Sequence, residues 1–200
     1  MKGALIALVA AIILGGAGFF AWKAFSPNSA PSAPVLVVDT RNTYATSTYS
    51  VRYPGNFALN AQYAYDQFGP KKLINGVKFT VPATVATGTN LSADTGVSVE
   101  QLPRAKNCTG DIYLLDNVTA HDIIENGTEY SFASSTGAAA GNLYDEQVYA
   151  LATSSPCTAV RYYIHSSAIE NFPTGTVSEF DRSALLTEFD KIRRSVSLGL

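Results

Sequence analysis

The chain has 200 residues, of which 46% are hydrophobic and only 15% are charged, and its formal net charge is −2. A mildly acidic chain of this kind lacks the basic patch that nucleic-acid-binding proteins need, so we expect no nucleic-acid partner. The length leaves room for one core of ordinary size, which predicts a single folded domain.

The first apolar run, residues 4–21, carries no charged side chain. As a helix it would be about 27 Å long at ~1.5 Å per residue, close to the hydrocarbon thickness of a bilayer. With Trp22 and Lys23 at the interface, this predicts a signal anchor over residues 1–25 that crosses the membrane once. A cleaved signal peptide is the alternative, because Lys2 supplies the positive start that both kinds of segment share. A buried helix of a soluble protein is a third interpretation.

Residues 26–48 follow as a linker rich in Pro, Ser and Ala, which favours extended, solvated chain. Residues 49–200 are then expected to form the folded domain. The chain has two cysteines, Cys108 and Cys157. A cysteine pair in an exported domain most often forms a disulfide, so we place the domain outside the cytoplasm, in the periplasm or on the cell surface. Two separate buried thiols are the competing interpretation.

The domain opens with a predicted hairpin, in which residues 49–53 alternate in polarity, Pro54-Gly55 makes a turn, and residues 57–60 return. Further strands are predicted over residues 63–68 and 77–81 and around residues 97–99. A short helix is predicted over residues 120–126, because Thr119 can cap it and Gly127 can end it. Three strands follow, over residues 128–134, 142–153 and 157–167.

The last of these strands has the clearest alternation. One face carries Val160, Tyr162 and Ile164, and the other carries Arg161, Tyr163 and His165.

The chain ends in its best helical pattern. Ser183 or Asp181 can cap the helix, and apolar residues then recur at helical spacing, namely Leu185, Phe189, Ile192 and Val196. Lys191, Arg193 and Arg194 lie toward its carboxyl end, where the helix dipole favours cations. The elements together predict an α+β domain, an antiparallel sheet packed by a long C-terminal helix.

This pattern resembles the PsbP-like family of exported domains. The similarity lies in the opening YSVRYPGNFAL, residues 49–59, and in the closing helix LLTEFDKIRRSVSL, residues 185–198. Phe57 stands where the family more usually has a Trp. The resemblance implies an α/β/α sandwich and a role in assembly or stabilisation of envelope complexes.

Candidate chemical groups are few. His121 and Glu125 stand four apart on the predicted short helix, but two ligands do not make a metal site, so no metal is expected. Asp145 and Glu146 are neighbours on a strand and should therefore point to opposite faces. His165 precedes Ser166 and Ser167, which suggests a base and a nucleophile by composition only.

Two functions remain open from the sequence. The first is a membrane-tethered extracytoplasmic binding or assembly module with no evident catalytic site and no cofactor, held to the membrane by its N-terminal helix and bound to a protein of the cell envelope. The alternative is a small exported hydrolase or ligand-binding enzyme that uses His165 and Arg161. Convergence of His165 with a carboxylate and a hydroxyl in one cavity would favour the enzyme.

Overall fold

The computed structural model describes residues 40–199. The strands of this region are β1 (Arg41–Ala45), β2 (Tyr49–Pro54), β3 (Ala58–Tyr65), β4 (Ile74–Thr80), β5 (Gly96–Leu102), β6 (His121–Glu125), β7 (Thr128–Ala139), β8 (Asn142–Leu151), β9 (Cys157–Ser167) and β10 (Ser197–Leu198). The helices are α1 (Ala83–Ala86) and α2 (Arg182–Arg193), with short 3₁₀ turns at Gly110–Tyr113 and Ile169–Asn171.

Seven strands form the main sheet in the order β3-β4-β5-β9-β8-β7-β6, and every neighbouring pair is antiparallel. A smaller sheet has the order β1-β2-β10. Strand β9 lies at the centre of the main sheet, between β5 and β8, and is buried along most of its length. This agrees with its strong alternation in the sequence.

The two faces of the main sheet are covered differently. On the first face, Leu185, Phe189 and Ile192 of α2 and the buried side chains of β2 pack into one apolar core with β4, β5 and β9. The second face is covered at one end by the irregular segment that contains Tyr113 and Leu114, which we call the covering segment. No long helix lies on that second face within residues 40–199.

The predicted α/β/α sandwich is therefore wrong, and the domain is mainly β rather than α+β. Thr, Val and Tyr are frequent in the described segments outside α2, and they fit a pleated, half-buried surface better than a helix. A C-terminal helix is present, but it has only 12 residues, Arg182–Arg193. Asp181 caps it by accepting a hydrogen bond from the Ala184 amide at 2.9 Å.

The predicted helix over residues 120–126 is wrong. The segment forms strand β6, which pairs with β7 through a two-residue turn at Asn126 and Gly127. Both turn residues have positive φ, 51° and 81°. Asn-Gly suits this turn because its backbone twist matches that of the two flanking strands. Hairpin pairing therefore outweighs the weak local capping signal.

The opening hairpin is also wrong, although its first strand is correct. Strand β2 pairs with β1 and β10, whereas β3 belongs to the main sheet. Strand β1 lies within the stretch predicted as linker, so the folded region includes residues 41–45 as well.

The predicted disulfide is confirmed: Cys108 is bonded to Cys157, with their Cα atoms 5.2 Å apart. It fixes the segment that covers the second face to the first residue of β9. The predicted anchor over residues 1–25 lies outside the described residues. From residue 40 to residue 199, no helix has the length and apolar character needed to cross a membrane.

Candidate functional site

The second face of the main sheet collects polar side chains from four strands. The register aligns Lys78 with Ser98, Ser98 with Arg161, and Arg161 with Val148, so side chains at these positions share one face. Two residues away along the strands, the same face carries Glu146 and Tyr163 toward one end. It carries Glu100 toward the other end. The strand alternation that buries Val and Phe on the first face thus places charge on the second.

Arg161 is fully buried at the covered end of this face. Its Nε and Nη2 donate to the two carboxylate oxygens of Glu100, both at 2.9 Å, and Nη2 also donates to the Tyr113 carbonyl at 2.6 Å. Its Nη1 donates to Glu146. The guanidinium lies over the Tyr65 ring, with Cζ 3.7 Å from the ring centroid.

All of these hydrogen bonds from the guanidinium go to other groups of the same domain. Burial alone would lower the pKa of Arg161, but Glu100 and then Glu146 raise it above its ordinary value. Arg161 is therefore a permanent buried cation that joins β5, β8, β9 and the covering segment. Its Nε and both terminal nitrogens donate to groups of the protein, and Arg161 is not among the residues that line the cavity described next.

Beyond Arg161, the second face opens into a cavity of about 520 Å³. We call it the tyrosine cavity, since four tyrosines line it together with one lysine and one glutamate: Tyr63, Tyr65, Tyr144, Tyr163, Lys78 and Glu146. Asp66 and Asp94 also border it. Its size falls in the range of small-molecule sites, roughly 300–1,000 Å³.

Lys78 holds the positive charge of this cavity. Its Nζ lies 4.9 Å from the centroid of the Tyr163 ring and 5.6 Å from that of Tyr63. Burial lowers the pKa of Lys78, and Asp94 and Glu100 oppose this effect only in part. Among residues 40–199, no side chain or carbonyl forms a hydrogen bond or an ion pair with this ammonium.

The approach of Lys78 to Tyr163 depends on Gly96. Strands β4 and β9 are separated by β5, so their backbones are about 9–10 Å apart at ~4.8 Å per strand. Gly96 pairs with Tyr163 across β5 and β9, and it has no side chain that could fill the space between them. A Cβ at Gly96 would also lie 2.4 Å from the Phe79 carbonyl oxygen. Glycine here allows both close strand packing and an open cavity.

His165 lies beside the cavity, at the far end of β9. Its Nδ1 is 2.8 Å from Oδ1 of Asp94, and its ring stacks on Tyr144 with centroids 4.7 Å apart. The other ring nitrogen, Nε2, is buried and has no hydrogen-bond partner within the described chain. His165 and Arg161 share a face but stand four residues apart, about 13 Å along the strand at ~3.3 Å per residue.

The adjacent serines do not complete a catalytic group. Ser166 is buried on the first face, and the Ser167 hydroxyl is 3.2 Å from the Asn142 side-chain oxygen. His165 thus has a carboxylate partner and a neighbouring aromatic ring. Within residues 40–199, neither serine hydroxyl forms a hydrogen bond with the His165 ring.

The other predicted candidates lie far from the cavity. His121 packs edge-on against Phe132, and Glu125 accepts hydrogen bonds from Arg193 and Arg194. In the part of the chain that the structure describes, no three His, Cys, Asp or Glu side chains are grouped to hold a metal ion.

Asp145 and Glu146 diverge as expected from the strand alternation. Asp145 pairs with Arg182, which belongs to α2 on the first face, and Glu146 pairs with Arg161 on the second. The two carboxylates therefore serve different clusters.

No protein-family model matches this chain, and no curated protein matches it. A solved structure from Bacteroides thetaiotaomicron VPI-5482 is similar over 75% of this chain, with 10% sequence identity and a TM-score of 0.40. This chain spans 44% of the length of that protein. The resemblance to the PsbP-like family stays a prediction from the sequence.

Sequence reasoning missed Lys78, Tyr63 and Asp94. One signal was present, because Lys78 stands between Val77 and Phe79 in a strand pattern and must face away from their core. The pairing that brings it to Tyr163 through β5 has no counterpart in the local sequence.

Proposed function

We propose that the described domain is an extracytoplasmic, non-enzymatic binding module, and that the tyrosine cavity binds a small anionic ligand through Lys78. The observation that carries this proposal is the Lys78 ammonium, half-buried between two tyrosine rings with no anionic partner in residues 40–199. Desolvating a cation is costly, and an anion that enters the cavity would offset that cost.

The neighbouring charges support the same proposal. Glu146 is already paired with Arg161, and Tyr65 also donates to it at 3.3 Å. Asp94 is paired with His165. Neither carboxylate forms an ion pair with Lys78, so a ligand can supply the direct anionic partner that residues 40–199 do not.

The disulfide supports the extracytoplasmic location. Structural disulfides persist in oxidising compartments and are rare in a reducing cytosol. Here the Cys108–Cys157 bond fixes the segment whose Tyr113 carbonyl accepts a hydrogen bond from Arg161.

Calorimetric titration of the full-length protein with cyclohexanecarboxylate tests the proposal, since this probe carries one carboxylate on a compact ring. Lys78→Met should weaken binding roughly 10- to 100-fold, as expected for loss of a charged hydrogen bond worth about 1.5–3 kcal/mol. The control is Lys72→Met, which removes the same charge from an exposed lysine outside the cavity. Equal affinity of both variants would refute the proposal.

A second candidate is the exported hydrolase, which the His165–Asp94 pair favours. Asp94 orients the ring, and Nε2 has no hydrogen-bond partner within residues 40–199, so a water that reached this buried atom would find a proton acceptor. Hydrolysis of p-nitrophenyl acetate that is abolished by His165→Gln and retained in Lys78→Met would select this function. Turnover no faster in the wild type than in His165→Gln would leave the binding module as the function.

A further inference from the structure

The tyrosine cavity also constrains what else its ligand must carry besides a negative charge. Lys78 is the cation in its lining, whereas Asp66 and Asp94 are carboxylates at its border. Glu146 also lines the cavity, and Asp94 is close enough to Lys78 to oppose the lowering of its pKa. A phosphate or another multiply charged anion would be repelled by these acids more strongly than a single carboxylate at Lys78 would be. The charge pattern therefore favours a ligand with one negative group and neutral polar groups.

The two aspartate carboxylates each have hydrogen-bond acceptor sites that no described side chain occupies. An ionised carboxylate offers about four acceptor sites. Asp94 spends one of them on His165 and is half exposed, and Asp66 accepts one hydrogen bond from the Gln67 amide at 3.0 Å. Hydroxyl groups are neutral donors that such acceptors bind, and a ligand with several of them can reach both aspartates.

The tyrosine rings favour a ligand with a compact, saturated face. Tyr65 presents one ring face to Arg161, and Tyr144 presents one to His165, yet both residues also line the cavity. Aromatic faces carry partial negative charge, which attracts the weakly positive C–H groups on the face of a pyranose ring. Burial, followed by Asp94, raises the pKa of Tyr163 to about 12, so its hydroxyl stays a donor at neutral pH.

We propose that the ligand is an acidic sugar, a pyranose that carries one carboxylate. The carboxylate pairs with Lys78, the ring stacks on the tyrosines, and the hydroxyls donate to Asp66 and Asp94. This inference rests on the proposed function, because it assigns a chemical class to the anion that Lys78 binds.

Three matched probes test the inference by calorimetry on the full-length protein. D-glucuronate has the ring, the hydroxyls and the carboxylate; D-glucose lacks the carboxylate; and cyclohexanecarboxylate lacks the hydroxyls. We expect D-glucuronate to bind at least about tenfold more tightly than either of the others. We expect Lys78→Met to remove this preference over glucose, and Lys72→Met to retain it.

The outcomes separate the inference from the proposed function. If cyclohexanecarboxylate binds as tightly as D-glucuronate and Lys78→Met weakens the binding of both, the sugar assignment is wrong and the anion site is retained. Glucose that binds as tightly as D-glucuronate overturns the role of the carboxylate. Absence of binding by all three probes overturns both. A double variant, Asp66→Asn with Asp94→Asn, should reduce the preference for D-glucuronate over cyclohexanecarboxylate, because an amide oxygen accepts a hydroxyl hydrogen bond more weakly than a carboxylate while the loss of charge acts on both anions alike. An unchanged preference would contradict the hydroxyl contacts.

Discussion

Replacement of Arg161 by Met should destabilise the domain more than any exposed charge change. The substitution leaves Glu100 fully buried without its bidentate cation, removes the donor to the Tyr113 carbonyl, and frees Glu146. Removing one partner of a buried ion pair costs about 3–5 kcal/mol. For a domain of this size, that corresponds to a fall in melting temperature of roughly 6–20 °C.

Urea denaturation at neutral pH measures the effect, and the other face of the sheet offers a matched control. Arg182→Met also breaks an arginine–carboxylate pair, with Asp145, but this arginine is 47% exposed, so the expected cost is about 0–1 kcal/mol. The double variant Arg161→Met with Glu100→Met should cost less than Arg161→Met alone, because no unpaired buried charge remains there. Equal destabilisation by Arg161→Met and Arg182→Met would refute the buried-cluster interpretation.

Three further predictions concern stability. Joint replacement of Cys108 and Cys157 by Ser should lower the free energy of unfolding by about 4 kcal/mol, since the bond closes a loop with a sequence separation of 49; an unchanged urea midpoint would contradict this. Asp181→Ala should cost about 1 kcal/mol through loss of the α2 cap, whereas Asp181→Asn should cost much less; equal losses would exclude the cap as the cause. Because the folded-state pKa of Lys78 is lowered, the unfolded chain binds its proton more tightly, so stability should rise with pH in the window just below the ordinary value of 10.5. Lys78→Met should lose this part of the pH dependence relative to the wild type, and superimposable pH profiles would contradict it.

The elements that the sequence predicted well are those whose local pattern agrees with the final packing. Strand β9 alternates in polarity over residues 160–165, and α2 has both a cap and a buried apolar stripe. The cysteine pairing followed from the number of cysteines and from the expected location outside the cytoplasm, because two cysteines allow one intramolecular bond.

The errors arose where non-local pairing decides the structure. Strand β6 carries Ile123 and Ile124 side by side, which suits a helix as readily as an edge strand, and only its pairing with β7 makes it extended. The covering segment on the second face has no periodic pattern of its own. It is held there by the Cys108–Cys157 bond and by the buried Tyr113.

The candidate site could be predicted least of all. Its charges lie on β4 and β8, directly after β3 and in the loop before β5. They meet only when the sheet order brings Lys78 of β4 near Tyr163 of β9, whose partner on β5 is Gly96. Strand alternation could assign each residue to a face, but not the neighbours that it meets there.

The central claim is that Lys78 binds an anion in the tyrosine cavity. Its most direct test is an NMR pH titration of the full-length protein, in which the lysine side chains are labelled with ¹³C at Cε. In the free protein, the pKa of Lys78 should lie below its ordinary value of 10.5. Saturation with cyclohexanecarboxylate should raise the pKa of Lys78, because a bound carboxylate favours the charged ammonium, and should leave Lys72 unchanged. A pKa of Lys78 that does not move at saturating carboxylate would contradict the claim.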